Sequence, residues 1–291
     1  MTSGWAPDPS WTPVGGAEGG ATVGVWRTAR SDGRWIVKRL RRTSTDDCRS
    51  FTWWRREIAV AESGIAAHFE GLIMPACRVE EDADGATLWS REVVSTAIPA
   101  EVAASALGRF ASIKLTDPGW FTVGRLRDRV AIAADIGLDA VDAGTFEPGL
   151  WRLMEELWTS RDEALELLDR LPQVLSHGDA LPRNLLRHDG ATVTAIDWDQ
   201  LGYAPVGADL ASFGMWSSAP TETLIRRYLE SNPADRWSEA QVRAGVALTT
   251  ALIAISRVIR TTSTPGAGGY RDRLRGSQPQ LEHAARLVRT R

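Results

Sequence analysis

The stretch Leu175-Ser176-His177-Gly178-Asp179-Ala180-Leu181-Pro182-Arg183-Asn184 decides how this 291-residue chain is read. Asp179 and Asn184 are five apart, with Pro182 between them. Proline has no N–H and cannot sit inside a helix, so this segment is an irregular loop. Beyond it, Leu185-Leu186 and the run Ala191 to Ile196 flank His188-Asp189-Gly190, and Asp-Gly between apolar runs signals a hairpin. With Asp189-Gly190 as a two-residue turn, His188 pairs with Ala191 and Asn184 lies opposite Ala195. Asp197 then sits diagonally from Asn184, about 7–8 Å away. Side chains so placed can meet on one ion, because magnesium takes oxygen ligands at about 2.1 Å and keeps positions for water and phosphate.

A carboxylate to orient a nucleophile, with an amide and a second carboxylate to hold magnesium, is the set that phosphorylates hydroxyl groups. The ordered residues His177-Gly178-Asp179 with Asn184, then Ile196-Asp197-Trp198-Asp199, then Gly207-Ala208-Asp209-Leu210-Ala211 resemble the aminoglycoside phosphotransferase family. That resemblance implies an α+β, two-lobed protein-kinase-like fold, with a small antiparallel-sheet N-lobe and a larger, mostly helical C-lobe. It implies ATP and magnesium as cofactors, Asp179 as the catalytic carboxylate, and Asn184 and Asp197 as metal ligands. Asp209 would steady the catalytic loop, and His177 would pack and hydrogen-bond without doing chemistry. Asp199, directly after the metal-binding acid on the same strand end, is the candidate for a substrate or second metal contact.

The N-terminal part should then supply the nucleotide lobe. Residues 21–30 and 34–40 read as strands joined by Ser31-Asp32-Gly33, and the second carries Lys38, placed as the phosphate-contacting lysine of kinases is. Of 34 basic residues only Lys38 and Lys114 are lysines, so the compact ammonium at 38 stands out in a chain that otherwise uses arginine. Residues 46–63 have helical spacing. Glu57 is the chosen partner for Lys38; Glu62, five residues on, is the rival, and the spacing does not decide between them. Strands at 73–79 and 86–94 follow, joined by an acidic turn over 80–85. Glu92-Val93-Val94 would be the hinge whose backbone meets adenine. The glycine-rich run 15–22 approaches a Walker A pattern, but Ala21 stands where its lysine belongs, so that reading is rejected. In the kinase reading Gly19 and Gly20 let backbone N–H groups approach phosphate, a task for residues without Cβ.

A boundary near residues 95–99 divides the chain into a nucleotide-binding lobe, 1–95, and a helical lobe with the acceptor site, 96–291. Helices are expected at 101–115, 126–136, 150–171, 221–231, 238–260 and 280–288. Net charge is −3, with 12 basic and 13 acidic residues in 1–95 and 22 and 24 in 96–291, so neither part is a basic body for nucleic acid. The uncharged run 244–256 is too short to span a bilayer and reads as a buried helix, so no membrane partner is expected. Two cysteines are too few for a disulfide framework, and residues 1–20 have no apolar signal core; a cytoplasmic location is the simpler inference.

The acceptor is the hard question. Residues 135–169 hold ten acids against Arg152 and Arg161. In the resembled family this region helps line the acceptor pocket, and a carboxylate-lined cleft attracts a polycationic, aminoglycoside-type antibiotic. Leu157, Ala164, Leu167 and Leu168 also give the segment an apolar face, which leaves most of its acids for solvent. A metabolic kinase of a sugar, amino sugar, amino alcohol or amino acid would use the same site, and a non-catalytic nucleotide-binding protein is the third reading. The intact Lys38, Asp179, Asn184 and Asp197 argue against the third. Trp120, Trp151 and Trp216 are candidate pocket aromatics.

Overall fold

The computed structural model describes residues 5–15, 20–45, 47–232, 236–261 and 268–290. Its first part is a five-stranded antiparallel sheet: β1 (Thr12–Pro13), β2 (Thr22–Arg30) and β3 (Gly33–Arg41) come first, with α1 (Arg56–Glu62) and β4 (Leu72–Ile73) before β5 (Cys77–Asp82) and β6 (Gly85–Arg91). The sheet order is β1-β2-β3-β6-β5, and β4 leaves it to pair elsewhere. Strand alternation sorts the side chains of β3: Trp35, Val37 and Arg39 are buried, whereas Arg34, Ile36 and Lys38 face a cleft. Lys38 lies between Val25 of β2 and Leu88 of β6.

The expected helix over 46–63 is much shorter, only Arg56–Glu62. Side chains claim the backbone before it. Asp47 accepts the Arg49 N–H at 2.9 Å, and the Arg56 guanidinium donates to the carbonyls of Cys48 and Ser50, each at 2.7 Å. Those carbonyls are held in a turn rather than in a helical ladder.

The rest of the chain is mainly helical: α2 (Ala100–Ala111), α3 (Arg125–Ile136), α4 (Pro148–Thr159) and α5 (Arg161–Asp169) precede α6 (Ala208–Gly214), α7 (Thr221–Glu230), α8 (Glu239–Thr261), α9 (Gly268–Gly276) and α10 (Gln278–Arg289). The single helix expected over 150–171 breaks at Ser160, where Arg161 turns back to donate to the Trp158 carbonyl at 2.8 Å and satisfies an orphan of the α4 terminus. α8 is long and apolar enough to cross a membrane, but 83% of its apolar window is buried inside the protein. α3, α5, α6 and α10 pack on it, so it is the core helix of this part.

Between α5 and α6 run the strands that carry the site: β7 (Gln173–Ser176), β8 (Leu185–Asp189), β9 (Thr192–Ala195) and β10 (Gly202–Pro205). The β8–β9 hairpin is shifted by one residue from the sequence reading. Asp189 pairs with Thr192, so the two-residue turn is Gly190-Ala191, not Asp189-Gly190. Gly190 takes the positive φ of 57° that the first position of a Gly-x turn favours. A bulge at Leu186 absorbs part of the shift, leaving Leu185 opposite Ala195 and the Asn184 carbonyl bonded to the Ile196 N–H at 2.9 Å.

Candidate active site

The loop from His177 to Asn184 is fixed from beneath by Asp209, in the first turn of α6. Its carboxylate accepts from the Ser176 hydroxyl at 2.8 Å, the His177 N–H at 2.8 Å and the Gly178 N–H at 3.0 Å. Gly178 has φ +82°, and a Cβ there would stand 2.3 Å from the Gln200 carbonyl oxygen, so the turn needs glycine. His177 is fully buried; its Nε2 is 3.0 Å from the Ile196 carbonyl and its ring centroid 4.5 Å from that of Trp198. His177 Nδ1 accepts the Asp179 N–H at 3.3 Å. The Asn184 amide donates to the Asp179 carbonyl at 2.8 Å and to its Oδ2 at 3.0 Å, which sets the carboxylate's orientation.

Past β9, Asp197 has φ +67°, the one non-glycine residue with positive φ among the described residues. Such a conformation costs about 1–3 kcal/mol and persists only where neighbours enforce it. Here His177 grips Ile196, and the buried Trp198 indole donates to the Ala195 carbonyl at 2.9 Å. The result aims Asp197 at the sheet. Lys38 Nζ lies 2.5 Å from Asp197 Oδ1 and 2.7 Å from Glu57 Oε2. Withdrawal from water would lower the Lys38 pKa, but Glu57 and Asp197 outweigh it and hold the ammonium above its ordinary range. Glu62 points away and pairs with Arg55 at 2.7 Å. Asp199 is pushed up to about 8, first by burial and then by Asp197. Its backbone carbonyl accepts from Arg56 NH1 at 3.0 Å, which ties α1 to the Asp197 segment.

These groups line one cavity of about 1190 Å³ between the sheet and the helical part, with Lys38, Glu57, Asp179, Asn184, Asp197 and Asp199 all on its walls. Glu92, Val93 and Val94 line it too. The Glu92 N–H is already used by the Arg34 carbonyl at 3.1 Å, and its side chain accepts from Arg27 at 2.5 Å. The Val94 N–H has no hydrogen-bond partner among the described residues. Gly19 lies outside the described residues. Gly20 does not line the cavity, and a Cβ there would meet nothing within 4 Å; Val14, Gly15 and Thr22 line the wall instead.

Two other expectations are corrected. None of the ten acids of 135–169 lines the cavity: Glu156 pairs with Arg289 at 2.5 Å, and Asp169 with Arg127 at 2.6 Å. Leu150, Met154, Leu157, Leu165 and Leu168 form the buried face of α4 and α5, and the charges occupy the side left over. Trp120, Trp151 and Trp216 do not line the cavity either. The sequence reading missed Arg129, Arg183, Arg257 and Arg260, which wall the cavity near Asp179. Only their spacing hinted at them, Arg125 and Arg129 at i, i+4 and Arg257 and Arg260 at i, i+3, each pair on one helix face.

The residues at the candidate metal position suit a hard cation. Asn184 spends its amide hydrogens on Asp179, leaving Oδ1 without a partner among the described residues, and Asp197 keeps Oδ2 free of Lys38. Two oxygen donors without a full protein cage are the usual magnesium arrangement, the remaining positions going to water and phosphate.

The sequence model of the phosphotransferase enzyme family, the aminoglycoside phosphotransferase type, matches residues 14–243. The chain belongs to that family. No curated protein matches it by sequence. Solved structures share the chain's fold. The choline kinase from Streptococcus pneumoniae aligns with TM-score 0.63 at 10% identity, covering 94% of this chain and 93% of that one. Aminoglycoside 2′-phosphotransferase-IIIa, solved with GDP, gives 0.61 at 13%, with 95% and 92% covered. An amicoumacin kinase, solved with AMP-PNP, Ca2+ and its antibiotic, gives 0.57 at 15%, with 95% and 89% covered. The chain therefore has the two-lobed protein-kinase-like fold, and the solved structures that share it are named for acceptors of several kinds.

Proposed function

We propose that this phosphotransferase moves the γ-phosphoryl group of ATP, in a magnesium-dependent reaction, onto a hydroxyl of a small molecule. The observation that carries the reading is Lys38 held by Glu57 on one side and reaching Asp197 on the other, with Asp179 and Asn184 on the same cavity wall. Lys38 binds the α/β phosphates, residues 1–95 hold the nucleotide with the Val94 backbone at the adenine, and residues 96–291 hold the acceptor. Asn184 and Asp197 would hold magnesium, which when bound neutralises phosphate charge. Asp179, oriented by Asn184, holds the acceptor hydroxyl and takes its proton. Because the transition state is loose, positioning matters as much as basicity. His177 and Asp209 act beneath, by keeping the loop in shape. The free thiols Cys48 and Cys77 support a reducing, cytoplasmic setting.

The acidic run that favoured a polycationic antibiotic does not reach the cavity, so a metabolite with a sugar, amino alcohol or amino acid skeleton is the preferred acceptor. ADP release from magnesium-ATP across a panel of aminoglycosides, sugars, amino alcohols and hydroxy amino acids tests this. Transfer to one class is expected, with Asp179→Ala lowering turnover about a hundredfold or more. An unchanged rate in that variant, or no nucleotide turnover with any acceptor, contradicts the reading.

A further inference from the structure

The cavity wall around Asp179 is unusually basic. Arg129, Arg183, Arg257 and Arg260 all line it. The acids of the same cavity are engaged elsewhere: Glu57 and Asp197 on Lys38, and Glu92 on Arg27. Asp199 sits on the cavity wall beside Asp197 and Lys38. Asp179 is the carboxylate set among the arginines, and it forms ion pairs at 3.9 Å with both Arg183 and Arg257. Arg125, Arg129 and Arg260 make no hydrogen bond or ion pair with any described residue. Arg129 and Arg260 differ in this from Arg39, which pairs with Asp82, and from Arg243, which pairs with both Glu222 and Glu239.

The placement is structural. Arg125 and Arg129 lie one turn apart on α3, and Arg257 and Arg260 near the end of α8, against which α3 packs. Arg129 and Arg257 are half-buried there, and Arg183 and Arg260 stand exposed at the rim, so like charges gather on one wall. Withdrawal from water, with Arg125 and Arg257 alongside, pushes Arg129 down to about 9. Such a cluster repels a polycation or a quaternary amine and attracts a planar or tetrahedral anion, which guanidinium forks bind in bidentate fashion.

We propose that the acceptor carries, besides its hydroxyl, a carboxylate or phosphate group that seats among Arg129, Arg183, Arg257 and Arg260 next to Asp179. This rests on the kinase reading above and narrows its acceptor to an anionic metabolite, such as a hydroxy amino acid or a sugar phosphate, and away from a cationic amino alcohol.

Calorimetric titration of the full chain, already saturated with magnesium and AMP-PNP, tests it with four probes: glycerol, glycerate, glycerol 3-phosphate and choline. Saturation fills the nucleotide's own phosphate positions. One of the two anions should bind at least about tenfold more tightly than glycerol and choline, the scale of one charge-assisted hydrogen bond, and which anion does so separates carboxylate from phosphate. That preference should fall about tenfold or more in R129Q/R260Q and be largely retained in R129K/R260K, with circular dichroism reporting folding of each variant. No binding of either anion, equal binding of glycerol or choline, or a preference untouched by R129Q/R260Q overturns the proposal. In the last case Arg257 and Arg260 serve only to offset the C-terminal dipole of α8. ADP release measured alongside keeps the two claims apart. Turnover directed to choline or glycerol refutes the anionic acceptor alone, whereas anion preference without any turnover refutes the kinase reading alone.

Discussion

Glu57 and Glu62 share a seven-residue helix, yet only Glu57 reaches Lys38. Residues five apart differ in direction by more than a quarter turn, and the turn held by Arg56 decides which one faces the sheet. Glu57 is buried and meets no other cation among the described residues, whereas Glu62 is exposed on Arg55, which Glu81 also contacts at 2.7 Å. Glu57→Gln removes the charge that positions the Lys38 ammonium, an interaction of about 1.5–3 kcal/mol. Steady-state kinetics should show kcat/KM for ATP falling about tenfold or more in that variant. Glu62→Gln should stay within about twofold of wild type, as expected for an exposed pair. Equal effects of the two changes would remove Glu57 from its assigned position.

At the scale of elements, the parts legible in the sequence were those set by local chemistry. The alternation around Lys38, the Pro182-interrupted loop and the apolar run inside α8 each found their place because period and proline constrain the backbone directly. What stayed hidden depended on partners distant in sequence. The late start of α1 follows from an arginine bonding carbonyls six and eight residues back, the hairpin shift from a bulge at Leu186, and the basic wall from α3 meeting α8. The acidic run misled because charge along a sequence does not say which face of a helix meets a cavity. α8 also has a tertiary requirement that local propensity opposes. Alanine at Gly245 would favour an isolated helix by about 1 kcal/mol. In the protein its Cβ would stand 1.8 Å from the Val206 carbonyl oxygen. Gly245→Ala should therefore lower stability by about 2 kcal/mol, the typical penalty of overpacking, and move Tm down by about 4 °C or more in thermal unfolding. A rise in Tm would show that α8 is not seated against the segment leading into α6.

Over the whole molecule, the sheet and the helical part are joined by the β4–β9 pairing, by Gln200 on the Phe51 carbonyl, and at the cleft by Lys38 with Asp197 and Arg56 with the Asp199 and Trp120 carbonyls. They align β3 with the loop after β9, so that a lysine from residue 38 and a carboxylate from residue 197 face one cavity. A nucleotide with its cation would take over the charge that Lys38 and Asp197 now offer each other, and this coupling is the core of the functional account. Calorimetric titration of AMP-PNP tests it most directly, with and without magnesium, in wild type and in Asp197→Ala. Wild type should bind the nucleotide tightly only with magnesium present, and the variant should lose that magnesium dependence. Equal affinity with and without the cation in wild type, or full magnesium dependence retained in Asp197→Ala, would contradict the account.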